Sequence, residues 1–481
     1  MKEEPFIARA MQFLPAVLGD GFNSFVDFCE KKQGFSAEFG SESLISSRYN
    51  KGLVISKNRK LTRRKSFENI LLAGQTGSGK TTRLLLKMMY ELKHCSIVVN
   101  DPSKELYLLA SGYLSQFFKI QTLNFSDSTE SSGYNVLGRI TRPSDINKVA
   151  DLLVRQTIDK NASDPFWPLQ SKALLSIFIR LVLYQPKEFQ NMANVLHLLN
   201  HFAANPKKID LLIVKTDAKL ILDYKALIAN SEKTLQNIVA SSKASLQLFD
   251  DPEIARTTAF DSIDFEQLRK EPTIIFLHNS VADMKYVNTL NGIFFEQLYG
   301  HILSKLPDKE LDLFVILEEA SSLFVPTLPV AIANTRKHRC GNVICVQAPG
   351  FLETLYKTDA QNITANCVTK IFLPGQSNME VLKEIETLSG KMIYKDKKEV
   401  ERIRPLITID EIRLLHEDRT LILSGNKPLI KGRTSPYYRS RKYKAFSKIV
   451  PVPLIGNIPD LPIPLIQFPE PIKKKEHEEQ K

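Results

Sequence analysis

The sequence predicts an α/β protein built on a doubly wound, mostly parallel sheet, with an all-α unit inserted into it. Three observations carry that expectation. A short apolar run, "NILLA", leads directly into the glycine-rich "GQTGSGKT" of Gly74–Thr81 and then into a helical pattern. Short apolar runs then alternate with helical stretches, the order a parallel sheet requires. Between residues 144 and 248 strand signals are sparse, and they resume at Thr273.

Residues 1–44 read as an N-terminal helical segment around Phe13–Phe28. The stretch 41–66 has little hydrophobic periodicity and a basic run, "SKNRKLTRRK", expected as loop or edge strands. A nucleotide-binding domain is expected over 45–143 and 249–445. Its strands are "NILLA", "SIVVN" (96–100), "IQTLNF" (120–125), "TIIFLHN" (273–279), "LFVILEEA" (313–320), "NVICVQAP" (342–349), "KIFLP" (370–374) and "TLILSG" (420–425). After the glycine loop, Leu84, Leu85, Met88, Met89 and Leu92 fall at helical spacing. The strand ending in "VVNDPSKEL" is expected beside the P-loop strand. "INKVADLLVRQTI", "QSKALLSIFIRLVLY" and "MANVLHLLNHF" are amphipathic helices of the insertion, 144–248. In the tail, 446–481, Pro451, Pro453, Pro459, Pro462, Pro464, Pro469 and Pro471 forbid helix and favour extended chain. The tail either wraps the domain or binds a partner, or it is an unstructured extension. Its end, "IKKKEHEEQK", is expected to be disordered.

Composition narrows the class. The net charge of +12 suits a polyanionic partner, nucleic acid or an acidic membrane face, and equally an ordinary basic surface. Five scattered cysteines do not suggest a disulfide framework, so a reducing compartment is expected. His338, Cys340 and Cys345 lack a second pair to complete a metal site, and Cys345 inside "VICV" reads as a buried strand residue. The most apolar run, Ala173–Tyr184, is too short to span a bilayer and carries Arg180. The expected location is cytoplasmic, or peripheral at the inner membrane.

The chemistry sits in a few motifs. In Gly74–Thr81 the spacing G-x-x-x-x-G-K-[ST] lies between strand and helix, the context a P-loop needs. Gly74, Gly77 and Gly79 let backbone N–H groups of Gln75, Thr76, Ser78 and their neighbours turn toward phosphate oxygens. Lys80 is expected at the β- and γ-phosphates of ATP and the Thr81 hydroxyl at Mg²⁺, with Thr82 completing the loop. "LFVILEEA" pushes Glu318 and Glu319 out at a strand's C-terminal edge. Glu318 would act on the metal side and Glu319 would polarise the attacking water. Gln347 ends another strand as a candidate γ-phosphate sensor. Arg336 and Arg339 precede that strand, placed either to reach a neighbouring subunit's nucleotide or simply as surface charges.

The order of motifs resembles one family. "DPSKELY", "YNVL" (Tyr134–Leu137), a helical insertion with "DPFW", "DLFVILEEA", "RKHRCGNVICVQAPGFLETLY" and "KPLIKGRTSPYY" follow the P-loop in turn. The set is similar to the type IV coupling proteins, the RecA-like ATPases of bacterial conjugation and type IV secretion, over about residues 45–445. Asp101–Leu106 nearly matches that family's "DPKGEL", Tyr134–Leu137 its "YNPL", and Gln347, Leu352 and Tyr356 its Gln-ending strand. The resemblance implies a RecA-like P-loop fold using ATP and Mg²⁺, assembled as a homohexamer, alone or only with DNA or nucleotide. It implies ATP-driven transfer of single-stranded DNA with its attached relaxase to the type IV secretion channel proteins, the insertion recruiting the relaxosome. Three departures are expected to matter: Ser103-Lys104 for Lys-Gly, Glu318 for Asp, and the missing N-terminal transmembrane helices of the family. Two other functions remain open. One is a DNA pump or helicase of the FtsK/HerA kind, against which the insertion and "YNVL" argue. The other is a weakly hydrolysing, ATP-binding adaptor that recruits secretion substrates, a reading Glu318 keeps open. Asp101 and Glu105 read either as nucleotide-side or interface groups, or as a turn with Pro102 opening a helix.

Overall fold

The computed structural model describes residues 36–155, 165–279, 283–396 and 398–468. The helices expected around Phe13–Phe28 and the charged end "IKKKEHEEQK" lie outside the described residues.

Eleven strands are described: β1 (Ile70–Ala73), β2 (Cys95–Asn100), β3 (Lys119–Leu123), β4 (Thr273–Leu277), β5 (Asp312–Leu317), β6 (Cys340–Val346), β7 (Thr369–Phe372), β8 (Lys391–Lys395), β9 (Glu401–Pro405), β10 (Arg419–Ser424) and β11 (Ile430–Arg433). Nine form one sheet in the order β11-β10-β7-β1-β6-β5-β2-β4-β3, and β8 and β9 form a separate hairpin. From β7 to β3 neighbours are parallel, while β10 and β11 add an antiparallel edge. Every residue of β1, β2, β4, β5 and β6 is buried, which is why these strands read as continuous apolar runs. The pleat sorts alternate residues to opposite cores: Leu71 and Ala73 pack on one face, Ile70 and Leu72 on the other.

One expectation about order is overturned. β2, which ends in the Asn-Asp-Pro turn, is not beside the P-loop strand β1; β6 and β5 lie between them. Both intervening strands are wholly buried and follow the insertion in the chain, so they take the centre and leave β2 between β5 and β4.

Past the P-loop, a π-helical turn (Thr81–Leu85) leads into α1 (Leu86–Glu91). β2 is followed by α2 (Glu105–Leu114). From Pro143 to Ala259 every described element is helical: α3 (Pro143–Arg155), α4 (Phe166–Leu183), α5 (Met192–Ala204), α6 (Lys207–Ile213), α7 (Ala218–Ile228), α8 (Glu232–Leu246) and α9 (Pro252–Ala259), with two short 3₁₀ turns. Side-chain caps start several of them: Asn191 accepts from Asn194 N, Asp217 from Leu220 N and Ser231 from Thr234 N. α4 is the centre of this bundle, packed against α3, α5, α7 and α8. It corrects the expectation of a run too short for a bilayer, since at 18 residues it is long and apolar enough by length and composition. Its buried Leu174, Leu175, Phe178, Leu181 and Val182 are part of the core shared with the sheet.

Beyond a short helix at Arg441–Phe446, the chain runs without helix or strand to the last described residue, Phe468. It crosses α2, where Tyr107 Oη donates to Val452 O (2.9 Å) and Val452 N donates to Ser111 Oγ (3.1 Å). A Cβ on Gly112 would lie 2.1 Å from Val450 O, so only glycine permits this crossing. Further on, Asn457 N donates to Ser131 O (3.1 Å), and Arg256 donates to Pro459 O (2.8 Å). The chain ends on α5, where Asn194 Nδ2 donates to Pro464 O (2.8 Å) and Ile466 N donates to Asn194 Oδ1 (2.8 Å). Over this stretch the tail is therefore a strap from α2 to the helical bundle.

Candidate functional site

The P-loop closes the C-terminal end of β1. Gly74 N donates to Val346 O (3.0 Å), fixing the loop's first residue to the end of β6. Gly77 and Gly79 adopt φ of 80° and 86°, conformations that a Cβ disfavours, so the loop turns back only because these positions are glycine. Gly74 is required for another reason: a Cβ there would meet Ser78 Oγ at 2.5 Å. Ser78 Oγ is itself buried and has no hydrogen-bond partner among the described residues. Lys80 precedes the helical turn and its Nζ donates across the loop to Gly74 O (2.7 Å). Gln75, Thr76 and Thr82 flank the same turn, Thr82 Oγ1 lying 3.5 Å from Gly79 O.

The two residues expected on the metal side meet. Thr81 Oγ1 donates to Glu318 Oε1 at 2.6 Å, although 237 residues separate them in sequence. Glu318 follows β5, and its backbone N–H donates to Asn100 O (3.3 Å) at the end of β2. Glu319 comes next, its carboxylate accepting from Ser321 Oγ. Gln347 follows β6 directly, between the P-loop strand and the β5 carboxylates.

Asp101 completes the group. It is fully buried at the end of β2 and accepts the backbone N–H groups of Leu106 (3.2 Å) and Tyr107 (2.7 Å) at the start of α2. Asp101 and Glu318 are buried neighbours whose carboxyls repel each other. Burial, reinforced by repulsion from Glu318, raises the Asp101 pKa. Burial also raises Glu318, against the opposing pull of the Thr81 hydroxyl. In the "NDPSKEL" turn Asp101 caps the start of α2 and lies near the candidate metal-side carboxylate. Pro102 does not open the helix; α2 begins at Glu105, after Lys104 turns through a φ of 59°.

Arg336 and Arg339 are not brought to this site. Both precede β6 and so lie at the opposite edge of the parallel sheet. Arg336 pairs with Glu68 (3.1 Å), ahead of β1, about 20 Å from Gly74 along the strand. Arg339 binds Asp312, the first residue of β5, at 2.6–2.7 Å.

Sequence reasoning passed over Arg83. Its side chain lies against the P-loop, with Nε 2.9 Å from where a Gly79 Cβ would be. The signal was available, since an arginine two residues beyond the P-loop threonine follows a loop that is already a phosphate cradle.

A glycine-cradled loop after β1, an acidic strand end at β5 and one strand between them define a RecA-like P-loop NTPase. The comparisons agree in fold. The conjugative coupling protein TrwBdeltaN70, in its unbound monoclinic form, superposes with a TM-score of 0.68 at 16% identity, covering 88% of this chain and 96% of that one. TrwB in complex with ADP and Mg²⁺ superposes with a TM-score of 0.66 at 16% identity, covering 84% and 94%. Protein VirD4 of Agrobacterium fabrum is 22% identical over 244 residues, 47% of this chain and 36% of that protein. VirD4 of Rhizobium radiobacter is 22% identical over 269 residues, 52% of this chain and 38% of that protein. The match thus spans little more than a third of the length of these relatives. The chain belongs to the type IV secretory system conjugative DNA transfer family, whose model matches residues 36–452.

Proposed function

We propose that this chain is an ATP-dependent coupling protein, which links a relaxase–single-stranded DNA complex to a type IV secretion channel and drives DNA transfer. The observation that carries the reading is the 2.6 Å contact between Thr81 and Glu318 beside the P-loop. A hydroxyl and a carboxylate so placed are hard oxygen donors of the kind that hold Mg²⁺ beside phosphates. When bound, the ion would neutralise charge on the β- and γ-phosphate oxygens. The chain's own groups do the rest. P-loop N–H groups and Lys80 orient the phosphates, Glu319 takes the proton of the attacking water, and Gln347 lies between the P-loop and these carboxylates. Arg336, at the far edge of the sheet, serves only a neighbouring subunit's nucleotide in a hexameric ring. The net charge of +12 supports a DNA path that tracks phosphates without reading sequence.

One observation favours a second reading, an adaptor that binds ATP and scarcely turns it over. Glu318 is longer than the Asp expected there from the resemblance, and burial beside Asp101 raises its pKa. The deciding measurement is ATP turnover with and without single-stranded DNA. The coupling reading expects DNA stimulation, abolished by Lys80→Ala and by Glu319→Gln. Turnover indifferent to single-stranded DNA in every oligomeric state refutes the DNA pump.

A further inference from the structure

Two segments of the chain carry basic charge without any acid. Between Ser43 and Phe67 there are eight lysines and arginines, and between Arg419 and Pro459 there are nine. The fold brings the two segments together. Lys57 N donates to Arg433 O (2.6 Å), and Lys60 and Lys442 both pair with Glu91. They also cover one layer of the core: Ile45, Leu53 and Ile55 from the first and Tyr443 from the second pack with Ile70 and Leu72 of β1. The helical insertion belongs to the other layer, with Leu71 and Ala73. The basic segments therefore lie on the side of the sheet turned away from the insertion.

Two features of this face point to a partner. Arg48, Lys51, Lys57, Arg441, Lys444 and Lys448 are exposed and make no ion pair among the described residues. Large apolar side chains stand out among them: Tyr49 is 85% exposed beside Arg48, and Val450 is 81% exposed two residues after Lys448. Unpaired cations call for an anionic surface. A nucleic-acid backbone has nothing to offer an exposed valine. The margin of a bilayer supplies both halves, anionic headgroups for lysine and arginine and an apolar boundary for tyrosine and aliphatic side chains.

We propose that this face docks directly on an anionic bilayer surface, with Arg48, Lys51, Lys444 and Lys448 against lipid phosphates and Tyr49 and Val450 set into the headgroup boundary. The docking goes beyond the ATPase reading and does not depend on it, because no P-loop or metal-side residue takes part.

The test is cosedimentation of the full chain with vesicles of phosphatidylcholine alone and with about one third phosphatidylglycerol. The chain is expected to bind the mixed vesicles and not the neutral ones. Each basic residue at such a surface carries roughly a fivefold change in affinity, so Lys51→Ala with Lys444→Ala and Lys448→Ala should weaken binding on the order of a hundredfold. The same charge removed from the insertion, by Lys207→Ala, Lys215→Ala and Lys219→Ala, should change it by less than about threefold, since screening leaves distant charges little effect. Tyr49→Ser with Val450→Ser should weaken it about tenfold. Every substituted side chain is exposed, so the variants keep the fold. No binding to the mixed vesicles, equal losses in the two lysine triples, or binding unmoved by the apolar pair overturns the docking. A face triple that keeps the vesicles but loses a single-stranded oligonucleotide overturns it too, and gives the face to nucleic acid.

Discussion

The strap that joins α2 to the helical bundle ends on one buried side chain, and that makes it testable. Asn194 is fully buried on α5 and holds the strap twice: Nδ2 donates to Pro464 O (2.8 Å) and Oδ1 accepts from Ile466 N (2.8 Å). Asn194→Ala removes both partners at once. Ile466 is 6% exposed, so its amide is left without water as well as without its acceptor. An orphaned buried polar group costs about 1–3 kcal/mol, so two raise the free energy of the docked strap by roughly 2–6 kcal/mol. Opening of the strap should then become about 30-fold more frequent or more. Native-state proteolysis within residues 461–468 reads this directly, because cleavage of a transiently opened segment follows the open population when reclosing is fast. In a chain truncated after Asp460 the same substitution loses the bonds from Nδ2 to Phe189 O (2.9 Å) and to Asn191 Oδ1 (3.3 Å), together worth about 1–2 kcal/mol. Its effect on thermal unfolding should shrink accordingly. Cleavage in 461–468 that Asn194→Ala does not accelerate, or an equal thermal cost in both backgrounds, refutes the account of the strap.

Two further outcomes are expected. Glu318→Asp withdraws the carboxylate by about 1.5 Å, breaking the 2.6 Å contact with Thr81; steady-state turnover at limiting Mg²⁺ should fall about tenfold, and a gain in turnover would instead support the adaptor reading. His278 is fully buried just past β4, neither ring nitrogen has a hydrogen-bond partner among the described residues, and burial, with the nearby Lys104 charge, lowers its pKa to about 4. Its unfolded value is about 6.5, so the unfolded chain binds the extra proton first; the stability this neutral ring contributes is whole above pH 6.5 and is lost as pH falls toward 4. At pH 5 the loss is about 2 kcal/mol, and the thermal midpoint of the wild type should drop further between pH 7 and pH 5 than that of His278→Gln; equal drops refute it.

Much of the fold was legible because its central strands are buried on both faces. Runs such as "SIVVN" and "TIIFLHN" leave no polar face to obscure them. The β8–β9 hairpin was not read, because "KMIYK" and "ERIRP" are mostly exposed and carry charges where a buried strand would carry aliphatics. Nor could strand order be read: periodicity says that β2 exists, but its neighbours are set by strands that arrive only from Thr273 onward, after the helical insertion. The same division runs through the site. The P-loop is a local object, so its glycines, Lys80 and Thr81 announce themselves. Glu318 was found because two carboxylates closing an apolar run are conspicuous. Arg83 was missed because a basic residue in an amphipathic helix looks like solvent-facing charge. Arg336 and Arg339 were read from their spacing to a strand, and that spacing places them at its wrong end for their own P-loop.

The departure of Glu318 from the family's Asp and the burial of Asp101 are two sides of one arrangement. β5 is separated from β1 by β6, so its end stands two strand spacings, roughly 10 Å, from the P-loop strand. Thr81 reaches part of that distance from the helix, and the longer glutamate reaches the rest, to 2.6 Å. On its other side β5 borders β2, one spacing away, where Asp101 is held in place by the first amides of α2. A carboxylate long enough to meet Thr81 thus lies near a second, buried carboxylate, and burial raises the pKa of both. Shortening Glu318 alone breaks its contact with Thr81, which is why its effect on turnover tests the arrangement as well as the residue.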